Sequence, residues 1–331
     1  MHRPASTILT LVFISQFVIG CLGVPATPTV AAPTPTVRQP TATSTFTETP
    51  NPTPTTIPLV PDFAHIVIII FENREYGTVI GSPLMPYFNM VADSFTLLDQ
   101  YYAVTHPSLP NYLALIGGDT FGITDDCDFS DCFIGAPSLP DLIEGSGRTW
   151  KTYQDDMPEP CFKGNTIRYV RKHNPFIFFD SIRQNLDRCQ ADIVPLTQMG
   201  DDILANDLPN FIFITPDICY SAHDCNIDLA DGWLKDQIDL IHPALDATGE
   251  PYLIVITWDE GQGTHSCCGI PEPGGGRIAT VLISPQVRPN FKDSTPYTHY
   301  SLLKTISEAW RLPYLGHAAD PETALILAPW K

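Results

Sequence analysis

Basic residues are scarce in this chain of 331 residues, which has 18 lysines and arginines against 37 aspartates and glutamates. Nearly all of the charge lies in residues 59–331, where 16 basic and 36 acidic residues give a net charge of −20. A field of that sign opposes non-specific binding to nucleic acid, so we expect no nucleic-acid partner. An anionic substrate is still allowed, because a bound cation reverses the local potential.

The chain also lacks the C-x-x-C spacing that is typical of zinc sites. Eight cysteines remain beyond Cys21, and an even number in an exported chain predicts disulfides. The sequence alone allows many pairings. Short spacing favours Cys127–Cys132 and Cys219–Cys225, and elimination then leaves Cys161–Cys189 and a vicinal Cys267–Cys268 pair.

The N-terminal apolar stretch is too short and interrupted to predict a membrane-spanning helix. With Arg3 before it, it predicts a signal peptide over residues 1–21. The ending Val-Ile-Gly-Cys21 resembles a bacterial lipobox, whose cysteine is lipidated, and we favour this over an ordinary signal cleaved near Ala26. Residues 22–58 are rich in Pro and Thr and predict a disordered tether. We therefore expect an extracellular protein anchored to the bacterial membrane through Cys21.

Residues 59–331 are long enough for one catalytic domain and show no internal repeat. Continuous apolar runs predict parallel strands buried on both faces, and helical patterns lie between or after them. This alternation predicts an α/β fold, a three-layer α/β/α sandwich with a mostly parallel central sheet. The predicted strands are Ile66–Phe71, Phe211–Thr215, Tyr252–Trp258 and Ile278–Ser284, and the predicted helices include Pro110–Ile116, Leu229–Ile241 and Tyr300–Trp310.

Oxygen-bearing side chains follow two of these strands directly. Glu72 and Asn73 come after the first strand, and Asp259 and Glu260 come after the third. The carboxyl edge of an open parallel sheet is where ligands bind, so we expect these four side chains to converge. They predict a site for one divalent metal ion: oxygen ligands favour Mg, Ca or Mn, and a nearby histidine would admit Zn.

Ser108 precedes a predicted helix that begins near Pro110 and stops at Gly117-Gly118. One interpretation is a capping serine, which is common. The other is a nucleophile, because the first backbone N–H groups and the positive end of the helix dipole attract a phosphate. The nearby carboxylate pairs favour the nucleophile. An acyl hydrolase using Ser108 is disfavoured, because no G-x-S-x-G elbow occurs and adjacent carboxylates would serve a Ser–His pair poorly.

Seven segments between residues 63 and 316 carry these and related motifs: Phe71-Glu-Asn-Arg, His106-Pro-Ser-Leu-Pro-Asn-Tyr, His173-Asn-Pro-Phe, Ala222-His-Asp, Thr257-Trp-Asp-Glu, Gly276-Arg-Ile-Ala-Thr-Val-Leu-Ile-Ser-Pro and Thr298-His-Tyr-Ser-Leu-Leu-Lys-Thr-Ile. In this order they resemble the phosphoesterase family of bacterial acid phosphatases and phospholipases C, in the alkaline-phosphatase-like superfamily. The resemblance is strongest to secreted acid phosphatases that include phosphatidylinositol-3-phosphatases.

The resemblance implies roles for individual residues. It makes Ser108 the residue that is transiently phosphorylated, and it places His106 and His223 among the active-site histidines. It also implies that the metal ligands are Glu72, Asn73, Asp259 and Glu260. Substrate-binding positions carried over in the same way are Asn111, His173, Arg277 and His299.

The segment 261–276 departs from the family's simplest pattern, which leaves substrate choice open. Five basic residues could also meet a phosphate, although most such residues are ordinary solvated charges. They are Arg74, Lys163, Arg168, Arg171 and Lys172.

We therefore expect a secreted or surface-anchored, metal-dependent acid phosphatase that acts as a monomer on small phosphomonoesters or phosphoinositide-like substrates. Ser108 would attack phosphorus, and His223 or His106 would protonate the leaving alkoxide. A phospholipase C-type phosphodiesterase is the alternative among enzymes. The alternative outside enzymes is a stalked surface protein that keeps the fold as a binding module.

Overall fold

The computed structural model describes residues 60–128 and 130–331. The expected signal peptide at 1–21 with its lipobox Cys21 and the expected tether at 22–58 lie outside the described residues. Within the described part, the strands are β1 His65–Phe71, β2 Thr96–Tyr102, β3 Trp150–Gln154, β4 Ile193–Pro195, β5 Phe211–Thr215, β6 Tyr252–Trp258, β7 Arg277–Ile283, β8 Phe291–Asp293 and β9 Tyr297–Thr298.

Helices pack around these strands, and the helix Pro86–Ser94 also contacts Ile227–Thr248, as Ser108–Gly117 contacts His299–Trp310. The α-helices are α1 Tyr76–Val79, α2 Pro86–Ser94, α3 Ser108–Gly117, α4 Leu139–Gly145, α5 Asp180–Arg183, α6 Leu186–Asp192, α7 Gln198–Ala205, α8 Ile227–Thr248 and α9 His299–Trp310. Short 3₁₀ turns cover Arg171–His173, Pro175–Phe178 and Gly316–Ala319. No helix in residues 60–128 and 130–331 is both long and apolar enough to cross a bilayer.

The strands form one sheet in the order β4-β3-β5-β1-β6-β7-β2-β8, with β9 beside β2. β7 is antiparallel to both of its neighbours, while the other pairings of the described sheet are parallel. The mostly parallel sheet is therefore confirmed, but the prediction that Ile278–Ser284 is a parallel strand is wrong. A strand buried on both faces has the same apolar pattern in either direction, so the pattern could not reveal the reversal.

The topology brings the polar strand ends together. β5, β1 and β6 are adjacent and parallel, and every residue of the three is buried. Phe71 pairs with Trp258 in the register, so the residues that follow these two strands leave the sheet side by side. Because β7 runs back along β6, residues 259–276 also lie at this carboxyl edge.

The structure contains all four expected disulfides, Cys127–Cys132, Cys161–Cys189, Cys219–Cys225 and Cys267–Cys268. In three of them the two cysteines lie six positions apart or fewer in the sequence, and Cys161–Cys189 joins residues 28 positions apart. The Cys219–Cys225 bridge encloses His223, so it restrains the chain around one of the predicted catalytic residues.

Candidate active site

Ser108 is the first residue of α3 and is 1% exposed. Its Oγ donates a hydrogen bond of 2.9 Å to Oε2 of Glu72, so the side chain does not serve as a helix cap. Gly118 follows the last residue of the helix and has a φ of +78°, and a Cβ there would come within 2.2 Å of the Leu315 carbonyl oxygen. A glycine is required there, and it fixes the length of the helix that presents Ser108.

Glu72 is fully buried and receives several hydrogen bonds. Oε2 accepts the Ser108 hydroxyl and, at 3.2 Å, the side-chain amide of Asn73. Oε1 accepts the Tyr112 hydroxyl and lies 3.1 Å from Nε2 of His173. Burial raises the pKa of Glu72, although nearby Lys172 and these donors oppose the increase. The carboxylate therefore carries a charge that this pocket only partly stabilises.

Asp259 is the second buried carboxylate of the site. Its Oδ1 accepts the backbone N–H groups of Asn73 (3.0 Å) and Glu260 (2.6 Å). Its Oδ2 is buried without a hydrogen-bond partner among the described residues. Burial, together with the charges of Glu72 and Glu260, raises the pKa of Asp259 well above its usual range. Two buried, mutually repelling carboxylates with an unpaired oxygen fit a hard divalent cation.

The other two predicted metal ligands are engaged differently. Asn73 donates to Glu72, as described above, and Glu260 pairs with a histidine. Within residues 60–128 and 130–331, one group of three possible metal-ligand atoms has all its members within 4.8 Å of one another. It consists of Asp125, Cys127 and Cys132. Both of those sulfurs are joined in a disulfide and are not thiolate ligands. The metal site at Glu72 and Asp259 therefore stays a prediction, supported by the chemistry of its donors.

His106 is held at both ring nitrogens. Nδ1 lies 2.6 Å from Oε2 of Glu260, and Nε2 lies 2.8 Å from the Gly263 carbonyl oxygen. The hydrogen bond to Glu260 raises the pKa of His106 despite partial burial, so the doubly protonated ring is favoured. In this arrangement His106 connects the segment before Ser108 to the segment after Glu260.

Asn111 is also committed to contacts within the protein. Its Oδ1 accepts the backbone N–H groups of Val104 (2.9 Å) and Thr105 (3.1 Å), and its amide donates to the Thr105 and Pro107 carbonyls at 2.8 and 3.2 Å. These contacts fix the turn that leads into Ser108. Its binding of a phosphate oxygen stays a prediction.

His173 and His223 lie near each other, with ring centroids 6.4 Å apart. His173 is 1% exposed and stacks on Tyr112. Its Nε2 faces Oε1 of Glu72, and its Nδ1 is buried without a hydrogen-bond partner among the described residues. Burial, with smaller contributions from Lys172 and His223, lowers the pKa of His173 well below its usual range, so the ring is neutral. The His223 side chain is 30% exposed, with Nδ1 2.6 Å from Asp224. Solvent and ligands can therefore reach His223.

The two remaining predicted residues contact other groups. His299 is fully buried and donates from Nε2 to the Asp259 carbonyl oxygen at 2.6 Å, and burial lowers its pKa to about 4. Arg277 donates to the Asp99 carbonyl and lies over the Tyr76 ring. Their contacts position Asp259 and the start of β7, so a substrate-binding role for either stays a prediction.

Sequence reasoning missed Tyr112 and Glu75. Tyr112 follows Ser108 by four residues, which places it one helical turn further along the same face, and this spacing could have revealed it. Glu75 accepts the backbone N–H groups of Gln262, Gly263 and Arg277, at 2.9 to 3.1 Å, and so anchors both ends of segment 261–276. No local pattern indicates that contact, because its partners lie almost 190 or more positions away.

The single, mostly parallel sheet with helices packed around it defines an α/β fold. A structure from Vibrio parahaemolyticus described as a protein in the alkaline phosphatase superfamily matches it with a TM-score of 0.51 and 12% identity, over 81% of this chain and 74% of that one. The chain belongs to the phosphoesterase family, whose model matches residues 82–313. The resemblance drawn from the sequence motifs is confirmed.

Curated relatives carry phosphatase names. The chain is 34% identical over 284 residues to a probable acid phosphatase of Kluyveromyces lactis, covering 80% of this chain and 63% of the yeast protein. It is 31% identical over 268 residues to a phosphatidylinositol-3-phosphatase of Mycobacterium tuberculosis, covering 79% and 81% of the two chains. The chain thus spans less than two thirds of its yeast relative.

Proposed function

We propose that this protein is a metal-dependent acid phosphatase that hydrolyses phosphomonoesters through a phosphoserine on Ser108. The observation that carries the proposal is the buried hydrogen bond from Ser108 to Glu72, beside the unpaired Oδ2 of Asp259. The phosphatase names of the yeast and mycobacterial relatives support the same reaction class.

Ser108 is placed to act as the nucleophile. Its proton points toward Oε2 of Glu72, which leaves an oxygen lone pair free to attack phosphorus. The Ser108 proton passes to Oε2 of Glu72 as the Oγ–P bond forms and the ester P–O bond breaks, and the leaving alkoxide takes up a proton from His223. A water molecule then attacks the phosphoserine, releases inorganic phosphate and regenerates Ser108.

His223 fits the role of the acid better than His106. Both nitrogens of His106 face acceptors of the protein. Among the residues that the structure describes, only Nδ1 of His223 has such a partner, and its ring remains accessible. General acid assistance of this kind contributes roughly 100- to 10,000-fold to rate. His106 then acts as a positioning residue for Glu260.

Glu72 and Asp259 would hold the divalent cation, with Asn73 and Glu260 as the further oxygen donors expected from the sequence. Mg, Ca and Mn match these oxygens, and the imidazole of His173 beside Glu72 would admit Zn. A cation bound there would supply positive charge that favours the Ser108 alkoxide and stabilises the transferred phosphoryl group.

The test compares p-nitrophenyl phosphate with bis-p-nitrophenyl phosphate as substrates of the full-length chain, with and without chelator. We expect turnover of the monoester, loss of activity with chelator, and recovery on adding a divalent cation. Ser108→Ala should lower kcat by about 1,000-fold or more. Ser307→Ala is the matched control, since Ser307 is a fully buried serine in α9 whose Oγ has no hydrogen-bond partner within residues 60–128 and 130–331.

Each other outcome favours a different function. Preference for the diester would indicate a phospholipase C-type phosphodiesterase, and activity that persists in Ser108→Ala would rule out the serine nucleophile. A folded, metal-loaded chain that turns over neither substrate would be a binding module.

We also infer a location outside the cytosol, because the structure has four disulfides and reducing compartments do not maintain them. Anchoring through Cys21 is part of this proposal. Cys21→Ser should move the protein from the membrane fraction to the soluble fraction, and an unchanged distribution would contradict the lipid anchor.

A further inference from the structure

Lys172 differs from the other basic residues that were candidates for phosphate binding. Arg171 pairs with Asp128. Protein acceptors also engage Arg74, Lys163 and Arg168, namely the Ala222 carbonyl, the Arg183 carbonyl and the Asp217 carboxylate. Lys172 also has a carboxylate partner, Asp126, but that carboxylate in turn contacts the helix that begins at Ser108.

The position of Lys172 follows from its neighbour. His173 lies 3.1 Å from Glu72, and Lys172 is the residue before it in the chain. Burial alone would lower the pKa of Lys172, but the negative charges of Glu72, Asp126 and Asp259 raise it above its usual value. Its side chain is 18% exposed, and Nζ donates to Oδ2 of Asp126 at 2.8 Å. The ammonium is therefore held beside the Asp126 carboxylate and is largely covered by protein.

Asp126 makes a second contact with the catalytic helix. Its Oδ1 accepts the backbone N–H of Leu109, the residue after Ser108, at 3.0 Å. That N–H lies in the first turn of the ten-residue helix α3, where backbone donors and the helix dipole favour an anion. The Asp126 carboxylate thus bridges the backbone N–H of Leu109 and the ammonium of Lys172.

Unmet polar groups point to a ligand in the same pocket. Nδ1 of His173 and Oδ2 of Asp259 are buried without hydrogen-bond partners among the described residues. A phosphate ester at Ser108 would lie among these groups, next to the N–H of Leu109. Its non-bridging oxygens would compete with Asp126 for the same two donors, the Leu109 N–H and Nζ of Lys172.

We propose that Lys172 and the Leu109 N–H form a binding position for a non-bridging oxygen of the substrate phosphate, and that Asp126 occupies this position until phosphate displaces it. This inference rests on the proposed phosphatase function. The exchange keeps both hydrogen bonds, because one anionic oxygen acceptor replaces another. Asp126 has a side chain 29% exposed, so it can turn toward water. A phosphomonoester dianion carries about twice the charge of a carboxylate and interacts more strongly with the ammonium.

The arrangement has a functional consequence. Asp126 competes with both substrate and product, so it weakens the binding of inorganic phosphate and speeds its release. Removing the negative charge of Asp126 should therefore tighten phosphate binding, which is the opposite of what loss of a simple helix cap would do.

The experiment measures the KM for p-nitrophenyl phosphate and the Ki for inorganic phosphate with the full-length chain. Asp126→Asn keeps the shape and an acceptor for Leu109, and we expect both constants to fall by about fivefold. Lys172→Met keeps the alkyl chain, and we expect both constants to rise by about tenfold or more. In the double variant, the gain from Asp126→Asn should shrink to less than about twofold, since the two residues act through one contact.

Lys163→Met is the matched control, because the Lys163 ammonium donates to the Arg183 carbonyl and not to the site. Its constants should equal those of the wild type. Unchanged or weaker phosphate binding in Asp126→Asn, or an unchanged Ki in Lys172→Met, would overturn the proposal. Where Asp126→Asn does not fold, Asp126→Ser replaces it, because serine also accepts a hydrogen bond at a helix N-terminus.

Failure of the proposed function gives a separate result. If the wild type hydrolyses no monoester, the phosphatase assignment fails. The dissociation constant for inorganic phosphate, measured by titration calorimetry in the same variants, then tests the anion position by itself. The same ordering of affinities would support it, and equal affinities would refute it.

Discussion

Replacing Tyr112 by phenylalanine removes one hydrogen bond from the candidate metal site. Tyr112 is fully buried, and its hydroxyl donates to Oε1 of Glu72. Phenylalanine keeps the ring that stacks on His173 and packs near Phe213, so only the donor is lost. A hydrogen bond to an ionised group contributes about 1.5–3 kcal/mol, which corresponds to about 10- to 150-fold in an equilibrium constant.

The loss disfavours the ionised form of Glu72, which is the form that binds a cation. We therefore expect the affinity for the divalent metal to fall by about 10- to 100-fold, as is usual when a group supporting a metal ligand is removed. Rates of p-nitrophenyl phosphate hydrolysis measured against free metal concentration give this constant. With saturating metal, the variant should approach the wild-type kcat.

Tyr153→Phe is the matched control. Tyr153 is also a buried tyrosine, but its hydroxyl donates to Asp202 at 2.6 Å. This variant should lose stability and keep the wild-type metal requirement. An unchanged metal requirement in Tyr112→Phe would refute the role of Tyr112 and weaken the assignment of Glu72 as a ligand.

Two further substitutions test the segment after Glu260 and the pH dependence of stability. Glu75→Gln removes a charge and one of two acceptor oxygens that bind segment 261–276, so kcat should fall by about tenfold with little change in Tm; an unchanged kcat would contradict this. Asp141→Asn should cost about 1 kcal/mol at pH 7, because Asp141 accepts from Ser138 in a capping box and pairs with Arg188. Burial alone would raise the pKa of Asp141, but these partners lower it below its ordinary value. The contribution of Asp141 to the free energy of unfolding is therefore present at neutral pH and is lost as the pH falls through the lowered pKa. Urea unfolding at pH 7 and pH 3 should show the difference narrowing at the lower pH, and a constant difference would contradict the pairing.

Local sequence patterns were sufficient to locate the main strands. β5 and β6 have the predicted bounds, and β1 starts one residue earlier than predicted, because continuous β-branched and aromatic runs leave few alternatives to a buried strand. The direction of β7 did not follow from its sequence. Direction depends on which neighbours a strand meets, and β7 lies between β6 and β2, which are far apart in the chain.

The convergence of Glu72 and Asp259 was also predictable, because both follow parallel strands and parallel strands end at one edge. The individual contacts were not predictable. His106 meets a glutamate 154 positions away, and Glu72 meets the Tyr112 hydroxyl 40 positions away. Such pairs are brought together by packing between elements, and no periodicity within one element encodes them.

The sequence by itself determined the chemical groups available, the elements that carry them, and the family to which the chain belongs. Only the tertiary structure decided which of those groups lose their water and which find a partner. Within the part of the chain that the structure describes, burial leaves Oδ2 of Asp259 and Nδ1 of His173 without a partner, while Lys172 is held by Asp126. Those states depend on solvent exclusion and on charges from distant segments, so they exist only once the sheet and its loops are assembled.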